Sequence, residues 1–266
     1  MNKKDLRNFL NLKVVEYNQP AFIPDDPISI PHRFKRKQDI EIAGFFAAIL
    51  AWGNRKSIIN SCNRLLAMMD NEPYHFVMNA DWQEPGETAA VFTGFVHRTF
   101  NDLDLLHLLN FLRHHYRNRG EESLETAFTE WMQPGDTTVE NALAGFHQYV
   151  FDYCEDARLE HHCRKHIATP AKKSACKRLN MYLRWMVRKD LQGVDFGIWK
   201  NIALAQLICP MDVHVARVAK RLNLLTRNQT DWLSAQELTA YLRKLDAKDP
   251  VKYDFALFGL GVVEHY

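Results

Sequence analysis

The sequence predicts an all-α protein, on three observations. Apolar residues recur at helical spacing in one segment after another, and no alternating run of strand length is present. Only 11 Gly and 10 Pro punctuate the 266 residues, too few for a turn-dense all-β sandwich. With 47% hydrophobic and 25% charged residues, the chain has the composition of a protein with a large buried core. Disordered, collagen-like and disulfide-stapled classes are excluded.

The elements follow in order. Ala43, Phe46, Ala47 and Leu50 stand at i, i+3, i+4 and i+7, one face of a helix. Asp39 is its expected cap, and Gly53 and Asn54, which tolerate a left-handed backbone, are its expected stop. A second helix is expected over 56–69, ending before Asn71-Glu72-Pro73. Residues 102–116 carry Leu105, Leu108, Leu109 and Leu112 on one side. Helices are also expected over 122–131, 139–153, 174–188, 213–222 and 234–245. The segments 20–31 and 154–173 read as punctuated or polar connections. The longest apolar run, Phe45–Trp52, is far short of the roughly 20 residues of a membrane span. The N-terminus is positively charged but has no apolar stretch behind it, so neither a membrane nor a secretory signal is expected. The five cysteines contain no CxxC pair and read as thiols of a reducing cytoplasm.

Net charge is only +2, yet its distribution is uneven. Between Arg158 and Lys189 ten Lys/Arg face one acid, Glu160, so 32 residues carry +9 and the rest of the chain −7. Such asymmetry predicts a positive face and a polyanionic partner. Within it, His162 and His166 stand at i, i+4. A structural zinc site takes four ligands, and Cys154 and Cys163 complete the set only by folding back. No metal is expected, and the histidines are read as facing phosphates.

Two stretches carry chemistry, Pro170–Met181 and Cys209–Leu222. Asp212 stands immediately before an apolar-periodic helix, where its carboxylate accepts from free first-turn N–H groups. Lys177 has the cations Lys172, Lys173 and Arg178 close in sequence, and such neighbours favour the neutral, nucleophilic form of an amine. Trp185 and Trp199 suit core positions.

The Pro210, Asp212, His214, Arg217 series resembles the Pro-x-Asp-x-His-x-x-Arg context of the helix-hairpin-helix DNA glycosylase superfamily. Asp254–Gly261 is similar to that family's closing helix, and Ala47–Asn54 to its early helix, whose polar end lies near DNA. The hairpin motif Leu-Pro-Gly-x-Gly-x-Lys is absent, and Pro170–Lys177 has a related rhythm without glycine. The interval from Lys177 to Asp212 looks more like the archaeal-type 8-oxoguanine glycosylase branch, and no four-cysteine iron–sulfur loop is present. As a whole the chain also resembles a bacterial family of unproven activity that shares the Cys176–Arg188 run.

The resemblance implies two helical lobes flanking a groove, one over 36–170 and one formed by 1–35 with 171–266. It implies a DNA glycosylase, with or without a lyase step, that excises a damaged purine such as 8-oxoguanine. Lys177 and Asp212 are the expected catalytic pair. Asn54, Arg55, His166, Lys172, Lys173, Arg178, Arg184, His214 and Arg217 are the expected contacts to double-stranded DNA, without a cofactor, in a cytoplasmic, nucleoid-associated setting. A helical nucleic-acid binder that keeps the fold without the chemistry is the alternative. A basic face for an acidic protein partner is a third reading.

Overall fold

A computed structural model describes residues 2–80, 90–152 and 162–266. The described chain is predominantly helical, and its strands are confined to one two-stranded hairpin. In chain order the helices are α1 (Lys3–Tyr17), α2 (Lys37–Ile49), α3 (Arg55–Met68), α4 (Pro73–Asn79), α5 (Asp102–Arg113), α6 (Thr126–Thr129) and α7 (Glu140–Asp152). They continue as α8 (Lys177–Val187), α9 (Val213–Arg221), α10 (Trp232–Leu245) and α11 (Tyr253–Val262). Strands β1 (Val96–His97) and β2 (Phe100–Asn101) pair antiparallel. No helix among the described residues is long and apolar enough to cross a membrane.

Several boundaries differ from expectation for local reasons. Asp39 lies inside the first turn of α2, and its carboxylate accepts from the Tyr74 backbone N–H at 2.9 Å instead of capping. Asn54 starts α3 by accepting from Ser57 N–H, while Gly53, at φ +102°, makes the turn before it. The helix expected over 122–131 shrinks to the single turn α6, which has no side-chain cap; before it, Ser123 Oγ and the Leu124 N–H are engaged by Glu41. Residues 174–176 precede α8 instead of starting it, with Ser174 in an isolated antiparallel bridge to Asp231. Helix α1 was not among the expected elements, although Leu6, Leu10 and Val14 form its buried stripe and Asn2 caps it. The expected connection 154–173 lies outside the described residues as far as His161, as do Tyr153 and Arg158.

The chain divides into two compact units. One comprises Pro24–Trp131 and Gly145–Ile167. Phe146 is the centre of its core, stacked on Phe128 at 4.0 Å between ring centroids and met edge-on by Phe45 and Phe111. Such aromatic pairs contribute beyond the area they bury. The buried Glu41 carboxylate accepts from Tyr116 Oη, Ser123 Oγ and Leu124 N–H, which fastens α2 to the chain after α5. Gly145 is obligatory by contact: a methyl group there would lie 2.0 Å from Trp131 Cγ. Gly145→Ala is expected to cost about 1–3 kcal/mol by overpacking, read as a lowered urea midpoint, despite the better helix propensity of alanine.

The other unit comprises Met1–Ile23, Met132–Ala144 and Ala168–Tyr266. Helix α11 packs against α1 and α9. Gly259 allows the first of these contacts, since a Cβ there would meet Tyr17 Cδ2 at 2.2 Å. Trp185 and Trp199 are both buried, Trp199 edge-on to Tyr182, in keeping with a core role. The four described cysteines are buried thiols, Cys62 and Cys163 in the first unit and Cys176 and Cys209 in the second. Burial pushes the Cys62 and Cys176 thiols up to about 12 and raises Cys209 well above the usual range.

Candidate functional site

Asp212 is the N-cap of α9. The buried Pro210 and Met211 anchor the chain before it, and Cys209 N–H donates to Thr239 Oγ1 on α10 at 3.0 Å. Asp212 Oδ1 accepts from the backbone N–H groups of His214 and Val215 at 2.9 and 3.0 Å. Both bonds fall on one oxygen, and Oδ2 has no hydrogen-bond partner among the described residues. The side chain is only partly buried.

Lys177 is the first residue of α8. It follows a tight loop in which Thr169 caps the turn Pro170–Lys172, and Lys173 and Cys176 both take left-handed backbone at φ +60° and +50°. The loop is fixed at both ends: Trp232 N–H donates to the Lys173 carbonyl, and Asn180 Nδ2 to the Ala175 carbonyl. It thereby makes without glycine the sharp reversal that glycine usually serves. Lys177 Nζ lies 3.5 Å from Met181 Sδ.

A third group joins these two. Asp254, in the first turn of α11, is buried, and its carboxyl is pushed up to about 6 by burial. The Arg184 and Lys177 cations oppose that shift, while the Asp212 and Asp195 carboxylates add to it. Lys177 and Asp212 are therefore both within electrostatic reach of the same buried carboxyl, all in one unit.

Asp254 belongs to an internal ion network. Arg184 binds Asp254 through Nη1 and Asp195 through Nε. Arg188 binds Asp190 and Asp195 through Nη1 and Asp249 through Nε. Both guanidiniums also lie over the Phe255 ring. Arg184 is 4% exposed, which removes it from the expected DNA contacts. The buried acids absorb two of the charges counted in the basic segment, so its +9 overstates the positive surface.

The pH consequence has a definite sign. Because burial raises the Asp254 carboxyl, the stabilisation of the protonated form is complete below the ordinary value of 3.8 and is lost as pH rises through about 6. The difference corresponds to about 3 kcal/mol. Comparing wild type with Asp254→Asn by urea denaturation, the wild type is expected to lose most of that amount relative to the variant between pH 4 and 7.

The other expected contacts divide. Lys172 and Lys173 are exposed on the loop before α8, and His214 is exposed on α9. Arg178 is half-buried, and burial lowers its guanidinium to about 10. Arg217 is exposed but donates to the Gly261 and Tyr266 carbonyls, so it ties α9 to the C-terminal segment. Asn54 and Arg55 sit in the other unit, at the start of α3. His166, also in that unit, is buried against Asp104 Oδ2 at 3.1 Å and does not face a phosphate.

Asp104 and Asp195 were not singled out from sequence. The pattern Asn101-x-x-Asp104 before an apolar run was a readable capping-box signal for the first. The −7 borne outside the basic segment was the trace of the second.

Neither the curated proteins nor the solved structures contain a match to the chain. The family model described as "Protein of unknown function (DUF2400)" matches residues 26–263. That span takes in most of both units, and the chain accordingly belongs to the DUF2400 family.

Proposed function

We propose that the protein is a DNA glycosylase that removes a damaged purine, such as 8-oxoguanine, through Lys177 and Asp212. The observation that carries this reading is the Asp212 carboxylate. One of its oxygens is anchored on a helix N-terminus while the other is left without a partner, and Asp212 and Lys177 both act electrostatically on the buried Asp254 carboxyl. Asp212 Oδ2 stabilises the cationic sugar as the bond from C1′ to the base nitrogen breaks. The base leaves with the bonding electrons and takes up a proton. Nζ of Lys177 bonds to C1′ and loses its protons as the sugar ring opens at O4′, which leaves an imine. The base reaches such a pair only after extrusion from the duplex.

Sodium borohydride reduces that imine to a stable amine. A covalent protein–DNA adduct is expected on duplex containing an abasic site, and base release from one member of a panel of single-lesion duplexes. No adduct and no release on any member overturns the enzymatic reading. The non-catalytic duplex binder is then the stronger one, supported by the capping role of Asp212 and by the exposed Lys172 and Lys173. For either reading, Lys172→Ala with Lys173→Ala is expected to flatten the dependence of log affinity on log salt by about 2, since each lost phosphate contact releases about one counterion fewer. An unchanged slope leaves the basic loop without a role in nucleic-acid binding.

A further inference from the structure

We propose that Asp104, His162 and His166 form a binding site for a divalent metal ion of the zinc class, separate from Lys177 and Asp212. All three residues belong to one unit, and among the described residues this is the group in which three metal-ligating side chains converge, their donor atoms within 4.8 Å of one another. Asp104 Oδ1 lies 2.6 Å from His162 Nδ1, and Oδ2 lies 3.1 Å from His166 Nε2. Tetrahedral bonds of about 2.0–2.2 Å require donor atoms roughly 3.4 Å apart, so an ion enters with displacements of about 1 Å or less.

The capping role of Asp104 does not account for this arrangement. Its Oδ2 accepts from Asn101 N–H at 2.9 Å, which completes the capping box of α5. A second histidine, on a segment 58 residues away in sequence, is then held on Oδ1. The carboxylate is 0% exposed, so a cation at the centre of the cluster offsets the cost of keeping its charge out of water. Elsewhere in this unit the buried histidines serve ordinary hydrogen bonds: His97 with Ser61 Oγ, His107 to the Val150 carbonyl, His147 to the Ile167 carbonyl, and His115 between Tyr149 and the Ser123 carbonyl. One carboxylate oxygen and two imidazole nitrogens are the donor set of zinc and related borderline ions, not of magnesium or calcium.

The surroundings suit a metal site. The Phe100 ring meets His166 edge-on at 5.1 Å between centroids, and Cys163 Sγ lies 3.8 Å from the Asp104 carbonyl, which together fix the ring and the segment that carries it. His162 is 37% exposed, which provides an entry path and room for water as a fourth ligand. Lys165 Nζ lies 3.2 Å from His162 Nε2. A metal on Nδ1 requires the His162 proton on Nε2, and the exposed Lys165 then withdraws. The ion would clamp the segment beginning at His162 onto the start of α5.

The test uses the untagged full chain, stripped with chelator and titrated with zinc by calorimetry and with cobalt(II) by absorption. About one equivalent is expected to bind at roughly 1 µM or tighter, with the intense visible bands of tetrahedral cobalt and a raised melting temperature in zinc. His162→Ala, at a half-exposed position, is expected to fold and to weaken zinc binding more than about tenfold. Asp104→Asn retains an oxygen for the capping box and is expected to abolish the cobalt bands. No saturable binding by the wild type overturns the proposal. So does binding that survives both substitutions, which would place the ion elsewhere.

Discussion

Replacing Arg184 by alanine is expected to destabilise the protein by about 3–5 kcal/mol at neutral pH. The substitution removes a buried guanidinium that serves Asp254 and Asp195 together and covers the Phe255 ring. It leaves Asp254 buried without its nearest cation, although Arg188 still holds Asp195. Removing one partner of a buried pair costs more than the pair itself contributes, because the remaining charge stays out of water. The loss should shrink as the solution is acidified, since without Arg184 the Asp254 carboxyl takes up its proton at a pH still higher than about 6. Arg184→Lys should recover part of the stability, keeping the charge but not the fork that reaches two carboxylates. Urea denaturation at pH 5 and pH 8 measures all three effects. If Arg184→Ala leaves the urea midpoint unchanged and instead lowers duplex affinity, the side chain is a surface DNA contact and the internal network is wrong.

The second large effect concerns the proposed chemistry. Asp212→Asn preserves a side-chain oxygen for the His214 and Val215 N–H groups, so α9 should form and the melting temperature should change little. It removes the negative charge that would face a sugar cation, and base release should fall by about 2–3 orders of magnitude. Lys177→Gln should eliminate the borohydride adduct entirely, since no amine remains to form the imine. Duplex affinity should persist in both. Single-turnover base release and adduct yield, measured beside a binding isotherm, separate these outcomes. Equal activity in wild type and Asp212→Asn would reduce Asp212 to a helix cap.

Asp212 was legible in the sequence because a cap is a local event: its partners lie two and three residues ahead. The same holds for the buried faces of α2 and α9, where Phe46, Ala47, Leu50, Val215, Val218 and Ala219 stand at the predicted spacing and are all buried. Arg184 was misread because its partners are distant, Asp195 by 11 positions and Asp254 by 70. A charge count along a segment treats each cation as solvated and does not see acids that arrive from elsewhere in the fold. His166 failed in the same way, since Asp104 reaches it from the start of α5. The segment 122–131 was misread for a different reason. Leu124, Ala127 and Phe128 are buried as their spacing suggests, but Ser123 and the Leu124 N–H are engaged by Glu41, so the helix begins late.

The buried cysteines turn the molecule into a reporter on its own fluctuations. A thiol that ionises near 12 and is shielded from solvent reacts with an alkylating reagent only while its surroundings are open. Cys62 and Cys163 report on one unit, Cys176 and Cys209 on the other. With Cys154 replaced by serine, the rate at which each thiol acquires a mass label in native buffer measures the opening free energy of its own neighbourhood. Equal rates across all four would mean that the two units open as one cooperative body. Two distinct pairs of rates would mean that each opens by itself, and would identify which one yields first.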